Sequence, residues 1–122
     1  MTTELPTLNF SIALQNDIYH VRFTKFSTTL TIWIGEGTPN QGPTLTHFYN
    51  TIPSFEGVPI AAEIIQPYEG NPVLEDLALA LGKKANTPIT FLTGISREIS
   101  PTDALLIKTA LFEQVTKFLE VN

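Results

Sequence analysis

Residues 29–37 read TLTIWIGEG, a stretch in which polar and apolar side chains alternate until a tryptophan interrupts the pattern. The alternation predicts a half-buried strand whose inner face carries Leu30, Ile32 and Ile34. Trp33 then lies on the opposite face, among threonines. Because a large aromatic ring is seldom left in water, we expect Trp33 to be covered. The cover is either a second layer of the same domain or a partner chain.

The stretch ends in Gly35-x-Gly37, which raises the question of a nucleotide-binding loop. A dinucleotide fingerprint needs a third glycine and a helix that starts at the loop. Asn40 stands where that glycine is required, and no helical periodicity follows. The lysine and hydroxyl of a phosphate-binding P-loop are also missing. The glycines therefore predict a shaped loop over residues 36–43.

The flanking sequence predicts six strands and two helices in one domain that covers residues 1–122. Two strands precede residue 29 with short links, which is typical of an antiparallel meander. The predicted order is five strands, a helix, a strand and a helix, an α+β domain. The predicted strands span residues 8–14, 18–26, 30–34, 44–50, 58–65 and 88–93, and the helices begin at residues 72 and 101.

Capping residues mark the starts of both helices. Asn71 is a good N-cap and Pro72 suits the first helical position. Ser100 and Asp103 form a pattern that resembles a capping box. The doublet Lys83–Lys84 suits the C-terminal end of the first helix, where it complements the dipole.

The second helix carries an apolar arc of about 160°, wider than the stripe of roughly 100° that packing on a sheet requires. Two explanations remain open. The helix is sunk deeply in its own core, or one edge of the arc contacts a partner. That edge carries Leu105, Phe112 and Leu119 at intervals of seven residues.

Charge and composition exclude several classes of function. A net charge of −5 disfavours nucleic acid, which requires clustered lysine and arginine. The absence of cysteine excludes disulfides, thiolate catalysis and thiolate zinc sites. No apolar run is long enough to span a membrane, and residues 1–11 lack the features of a signal peptide. These patterns predict an intracellular protein.

Catalytic and metal-binding patterns are not found in the sequence. His20 and His47 are the only histidines, and the sequence shows no cluster of histidines and carboxylates at the short fixed spacing of a metal site. Glu75 and Asp76 are adjacent on a helix and point about 100° apart, so they do not form a shared acid/base pair. We therefore predict no enzyme activity, no cofactor and no metal.

Other aromatic residues lie next to predicted turns. Phe48 and Tyr49 are the clearest examples, and large aromatics in such positions often anchor protein contacts. With Trp33 and the helix edge defined above, they are our candidate contact residues.

Three parts of the sequence resemble the proteasome assembly chaperone 4 family. They are Asn9-Phe10-Ser11, the run from Leu30 to Gly35 that ends IWIG, and the residues Leu77, Ala78, Leu81, Lys84 and Asn86 before a strand. Each motif is weak alone, but their order and spacing together are fairly specific. The resemblance covers nearly the whole chain, except that residues 36–43 and 54–57 match the pattern least.

The resemblance implies a non-enzymatic chaperone with a six-stranded antiparallel β-sandwich flanked by two α-helices. Members of the family pair with an assembly chaperone 3-like subunit and hold proteasome α-subunits, notably α5, while the α-ring of the 20S proteasome forms. They leave as β-subunits arrive. The resemblance implies a location in the cytoplasm and nucleus, and it transfers no individual contact residues.

Two other functions stay open at this point. One is a small adaptor or scaffold that binds proteins in a different pathway. The other is a small-molecule-binding domain or enzyme that uses the loop from Gly35 to Pro43.

Overall fold

The computed structural model describes residues 5–14, 17–36, 47–52, 60–65, 72–95 and 99–122. Within them it has six strands and two helices in the predicted order. They are β1 (Thr7–Ala13), β2 (Ile18–Lys25), β3 (Leu30–Gly35), β4 (His47–Ile52), β5 (Ile60–Ile65), α1 (Pro72–Ala85), β6 (Ile89–Gly94) and α2 (Pro101–Val121). The predicted α+β class is confirmed.

The strands form one mixed sheet in the order β1-β2-β3-β6-β4-β5. The meander β1-β2-β3 is antiparallel, as predicted. However, β6 lies between β3 and β4, parallel to β3 and antiparallel to β4. The prediction of an antiparallel sandwich is therefore wrong. The described strands form a single sheet, and β6, which follows α1, lies in its middle and pairs parallel with β3.

One face of the sheet forms the hydrophobic core with both helices. Alternate residues of the strands point inward, and Phe23, Ile32 and Phe91 are fully buried there. Phe23 packs edge-on against Phe10 at 5.3 Å and against Phe118 of α2 at 5.7 Å between ring centroids. The helices therefore lie together on this covered face.

Helix α2 begins where its capping residues predict. The Asp103 N–H donates to Ser100 Oγ at 3.1 Å, and the Ala104 N–H donates to the Ser100 carbonyl oxygen at 2.9 Å. In α1, Glu75 lies in the first turn and Lys83–Lys84 in the last, which favours the dipole at both ends. The predicted N-cap Asn71 lies outside the described residues.

The apolar arc of α2 is mainly core. Ile107, Leu111, Val115 and Phe118 are buried, and Phe112 and Leu119 pack against them while half-buried. The ammonium group of Lys108 lies 5.4 Å from the centre of the Phe112 ring. For most of its length, the wide arc is therefore explained by burial of the helix in its own core.

Candidate functional site

The second face of the sheet has no helix packed on it among the described elements. We call it the open face. Trp33 lies there, half-buried, while its neighbours Ile32 and Ile34 point into the core, as the alternation predicted. Cross-strand pairing places Arg22 on one side of Trp33 and Leu92 on the other.

Three rows of residues cross the open face. One row is polar, one contains Trp33, and one contains two glycines. In register they are Thr7–Thr24–Thr31–Thr90–Asn50, then Asn9–Arg22–Trp33–Leu92, and then Ser11–His20–Gly35–Gly94. The apolar side chains of Trp33 and Leu92 are thus bordered on one side by small hydroxyl and amide groups and on the other side by the two glycines.

The row of glycines creates room for the tryptophan ring. A Cβ atom added to Gly35 would lie 2.4 Å from Trp33 Cζ2, so the indole lies directly over this residue. A side chain at position 35 would force the ring away. Gly35 therefore has a packing role. Contact with the Trp33 ring is enough to account for a glycine at this position, without a nucleotide-binding loop. The rest of the predicted 36–43 loop lies outside the described residues, apart from Glu36.

A groove of about 520 Å³ lies on the open face. Asn9, Arg22 and Trp33 are among its lining residues. Arg22 Nε donates to Asn9 Oδ1 at 2.9 Å, which holds the guanidinium along the sheet. None of the lining residues that the structure describes is an aspartate or glutamate, so among them Arg22 gives this groove a positive charge although the whole chain is acidic.

Ser11 and His20 also meet in the groove, with 3.1 Å between Ser11 Oγ and His20 Nδ1. A nucleophilic serine requires a base that is itself oriented by a third group. Here the serine occupies the Nδ1 position at which a carboxylate orients the histidine in hydrolases, and the described lining of the groove contains no carboxylate. The pair is therefore a cross-strand hydrogen bond on an exposed surface.

The candidate contact residues do not form one site. Tyr49 is only 1% exposed and packs 6.4 Å from Phe91, ring to ring, so its predicted contact role does not fit its burial. Phe48 pairs with Leu92 in the β4–β6 ladder, but its side chain lies outside the described part of the chain. Trp33 is the one candidate whose described side chain lies on the open face.

The helix-edge candidates lie on the other side of the molecule. Leu105 is 63% exposed and borders a groove of about 320 Å³ between α1 and α2. Asp76 and Lys108 add one charge of each sign to that groove. Phe112 and Leu119 belong to the margin of the core, so only Leu105 is freely available on this edge.

Sequence reasoning missed Leu92 and the packing role of Gly35. Leu92 was identifiable as the residue that alternates with Ile89 and Phe91, but its position beside Trp33 depends on the unpredicted insertion of β6. His20 does lie on the face with Arg22, as predicted. The side chain of His47 lies outside the described residues.

Two features of the described part of the chain bear on other functions. No group of three or more histidine, cysteine, aspartate or glutamate residues there is arranged to hold a metal ion. None of the helices described has the length and apolarity needed to cross a membrane.

Comparison with known proteins gives a structural likeness without a sequence match. No family model matches the chain, and no curated protein matches it in sequence. A solved structure described as a novel chaperone complex for yeast 20S proteasome assembly contains a chain of similar fold. The TM-score is 0.62 at 12% identity, over 96% of each chain. At this identity the likeness concerns the fold.

Proposed function

We propose that the chain is a non-enzymatic chaperone for assembly of the 20S proteasome α-ring. The observation that carries the proposal is the fold shared, over nearly the full length of both chains, with a member of a chaperone complex for that assembly. The sequence motifs that resemble the assembly chaperone 4 family support it independently. One of them, residues 30–35, is β3, the strand that carries Trp33.

The proposed chaperone acts as a heterodimer with an assembly chaperone 3-like partner. The open face is the proposed pairing surface, because Trp33 and Leu92 form its apolar centre and polar groups surround them. A second copy of this chain is a poor occupant of that face. Its described groove residues would bring another Arg22 and no carboxylate, and an unpaired buried charge is costly.

The partner's matching face is therefore proposed to carry at least one carboxylate opposite Arg22. A bidentate arginine–carboxylate pair adds orientation as well as affinity when it is removed from water. The proposed α-subunit contact, with α5 as the first candidate, is on the helix side, where Leu105 is exposed beside the α1–α2 groove. The same proposal locates the protein in the cytoplasm and nucleus.

The test separates the two surfaces. Trp33→Ala should weaken pairing with the chaperone 3-like partner by at least about 2 kcal/mol, the range of an interface hot spot. Thr31→Ala, a neighbouring residue on the same strand and face, is the matched control and should bind normally. Leu105→Lys should leave pairing intact and reduce capture of α5. Affinities are measured by calorimetry with purified partner and α5, after circular dichroism confirms folding.

If the Trp33→Ala and Leu105→Lys variants fold and still bind both the partner and α5 normally, the assignment of the two surfaces is wrong. Purification of the natural complex followed by mass spectrometry tests the function itself. Proteasome α-subunits support the chaperone, unrelated proteins support an adaptor in another pathway, and a co-purifying metabolite supports a small-molecule-binding domain.

A further inference from the structure

Strand β1 forms one edge of the sheet, with β2 as its only neighbour in the described strand order. Its register with β2 is continuous over all seven residues, from Thr7 opposite Thr24 to Ala13 opposite Ile18. An edge strand presents unpaired N–H and C=O groups on its outer side, which makes it a template for another strand.

Two hydrogen bonds at the ends of the β1–β2 ladder identify which residues face outward. The Lys25 N–H donates to the Pro6 carbonyl at 2.9 Å, and the Leu14 N–H donates to the Asp17 carbonyl at 2.8 Å. In an antiparallel ladder, hydrogen-bonded and non-hydrogen-bonded pairs alternate. Even-numbered residues therefore bond to β2, and the backbone groups of the odd-numbered residues point to the free edge. These residues are Thr7, Asn9, Ser11 and Ala13.

This edge lacks the devices that usually prevent strand addition. Natural edges are protected by charged side chains, proline, bulges or short length. Within Thr7–Ala13 there is no charged residue and no proline, and the register with β2 shows no bulge. Pro6 limits the edge only at its start. No described strand pairs with the outer side of β1, so among the described elements this side is available for pairing over its full length.

The side chains of β1 are complementary to those of a second β1 strand that runs antiparallel. When the two-fold axis passes through Phe10, Asn9 lies opposite Ser11 and Thr7 lies opposite Ala13. Leu8 then lies opposite Ile12, and the two copies of Phe10 lie opposite each other. Each apolar residue meets an apolar residue on the helix side, where Leu8 and Phe10 are half-buried. No charge is brought to the contact, although each copy carries a net charge of −5.

We propose that β1 pairs antiparallel with β1 of a second copy of this chain, centred on Phe10, and joins two sheets edge to edge. The contact adds backbone hydrogen bonds from the outward-facing residues and extends the apolar surface of Leu8 and Phe10 across the joint. It uses the sheet edge and leaves the open face accessible, so it is independent of the proposed chaperone function.

Charged residues placed at positions 7 and 13 test both the contact and its register. Thr7 and Ala13 are exposed, and about 20 Å separates them along one strand, beyond the screening length of about 10 Å at 0.1 M salt. In the proposed dimer they face each other across the joint. Thr7→Lys/Ala13→Lys places like charges opposite each other twice, whereas Thr7→Glu/Ala13→Lys places opposite charges there.

We expect the unmodified chain to dimerise in sedimentation equilibrium. The like-charged double variant should raise the dissociation constant by about tenfold or more relative to the opposite-charged variant. Equal dissociation constants for the two folded variants would overturn the proposal, as would an unmodified chain that stays monomeric at high concentration. Trp33→Ala is a further control, because it changes the open face and should leave this dimer unchanged.

Cross-linking provides a second measurement that does not depend on added charge. The chain has no cysteine, so a single introduced thiol reports one contact. Opposed residues of a non-hydrogen-bonded pair have Cα atoms about 4.5 Å apart, within the range of a disulfide. Phe10→Cys should therefore form a disulfide dimer under mild oxidation, whereas Ser11→Cys, which faces Asn9 and not itself, should not. The reverse pattern would rule out the register centred on Phe10.

Discussion

The two faces of the sheet are built from the same strands but differ in burial and in residue type. On the covered face, Phe23, Ile32 and Phe91 are fully buried beneath the helices. On the open face, their neighbours Arg22 and Trp33 lie among hydroxyl and amide groups. Because the side chains alternate, each strand can place stabilising residues on one face and contact residues on the other. We therefore expect substitutions on the covered face to reduce stability and those on the open face to change mainly binding.

Phe23→Ala should cost about 3–5 kcal/mol of unfolding free energy, the typical loss for a buried phenylalanine. The ring contacts both Phe10 and Phe118, so its removal leaves a cavity between the sheet and α2. Urea denaturation followed by circular dichroism measures the change. Thr24→Ala, the next residue and on the open face, is the control and should cost far less. A similar loss at both positions would remove the distinction between the faces.

Gly35→Ala should cost about 1–3 kcal/mol, as overpacking does in tightly packed sites. The new Cβ would overlap the Trp33 ring, so the ring must rotate away. The same substitution in a Trp33→Ala background should cost nothing or stabilise slightly, since alanine suits a strand better than glycine. A double-mutant cycle by urea denaturation measures this coupling. An unchanged cost without the tryptophan would show that the ring is not what requires glycine at this position.

Ser100→Ala should cost about 1 kcal/mol through loss of the N-cap of α2. The Ser100 side chain satisfies the Asp103 N–H, and alanine leaves that donor to water. Thr102→Ala, an exposed change in the first turn of the same helix, should be close to neutral. The shift in thermal midpoint between the two variants gives the value. Equal midpoints for the two variants would mean that the Ser100 cap contributes little to the stability of the fold.

Arg22→Ala should change the unfolding free energy by less than about 0.5 kcal/mol, as most surface substitutions do. Its hydrogen bond to Asn9 is exposed and competes with water. If the proposed pairing holds, the same variant weakens binding of the partner and reduces the dependence of that binding on salt. A large loss of stability in the isolated chain would show that this residue supports the fold itself.

The local features of the fold were predictable because they depend on neighbouring residues. Strict alternation identified β1, β2 and β3 and placed Trp33 opposite Ile32 and Ile34. The Ser100 cap located the start of α2 to the residue. These signals depend on backbone geometry and on side chains within four residues of each other.

The position of β6 was not predictable by the same means. Its sequence, ITFLTG, indicates a strand but carries no information on which strands lie beside it. Tyr49 shows a related limit. Phe48 and Tyr49 are adjacent aromatics in a short strand, so alternation alone does not say which of them points inward. The burial of Tyr49 follows from its pairing with Phe91 of β6, a contact between distant parts of the chain.

The central position of β6 also determines when the chain can complete its fold. In the strand order that the structure describes, β6 alone joins the meander β1-β2-β3 to the antiparallel pair of β4 and β5, and β6 comes late in the sequence. During synthesis, the two parts of the sheet therefore have unpaired inner edges until residues 89–94 have left the ribosome. Pairing between strands far apart in sequence is slow, because a long loop must close first. Until then the nascent chain exposes strand edges that favour aggregation. A protein proposed to assist the assembly of other proteins is therefore itself prone to aggregation during its own folding.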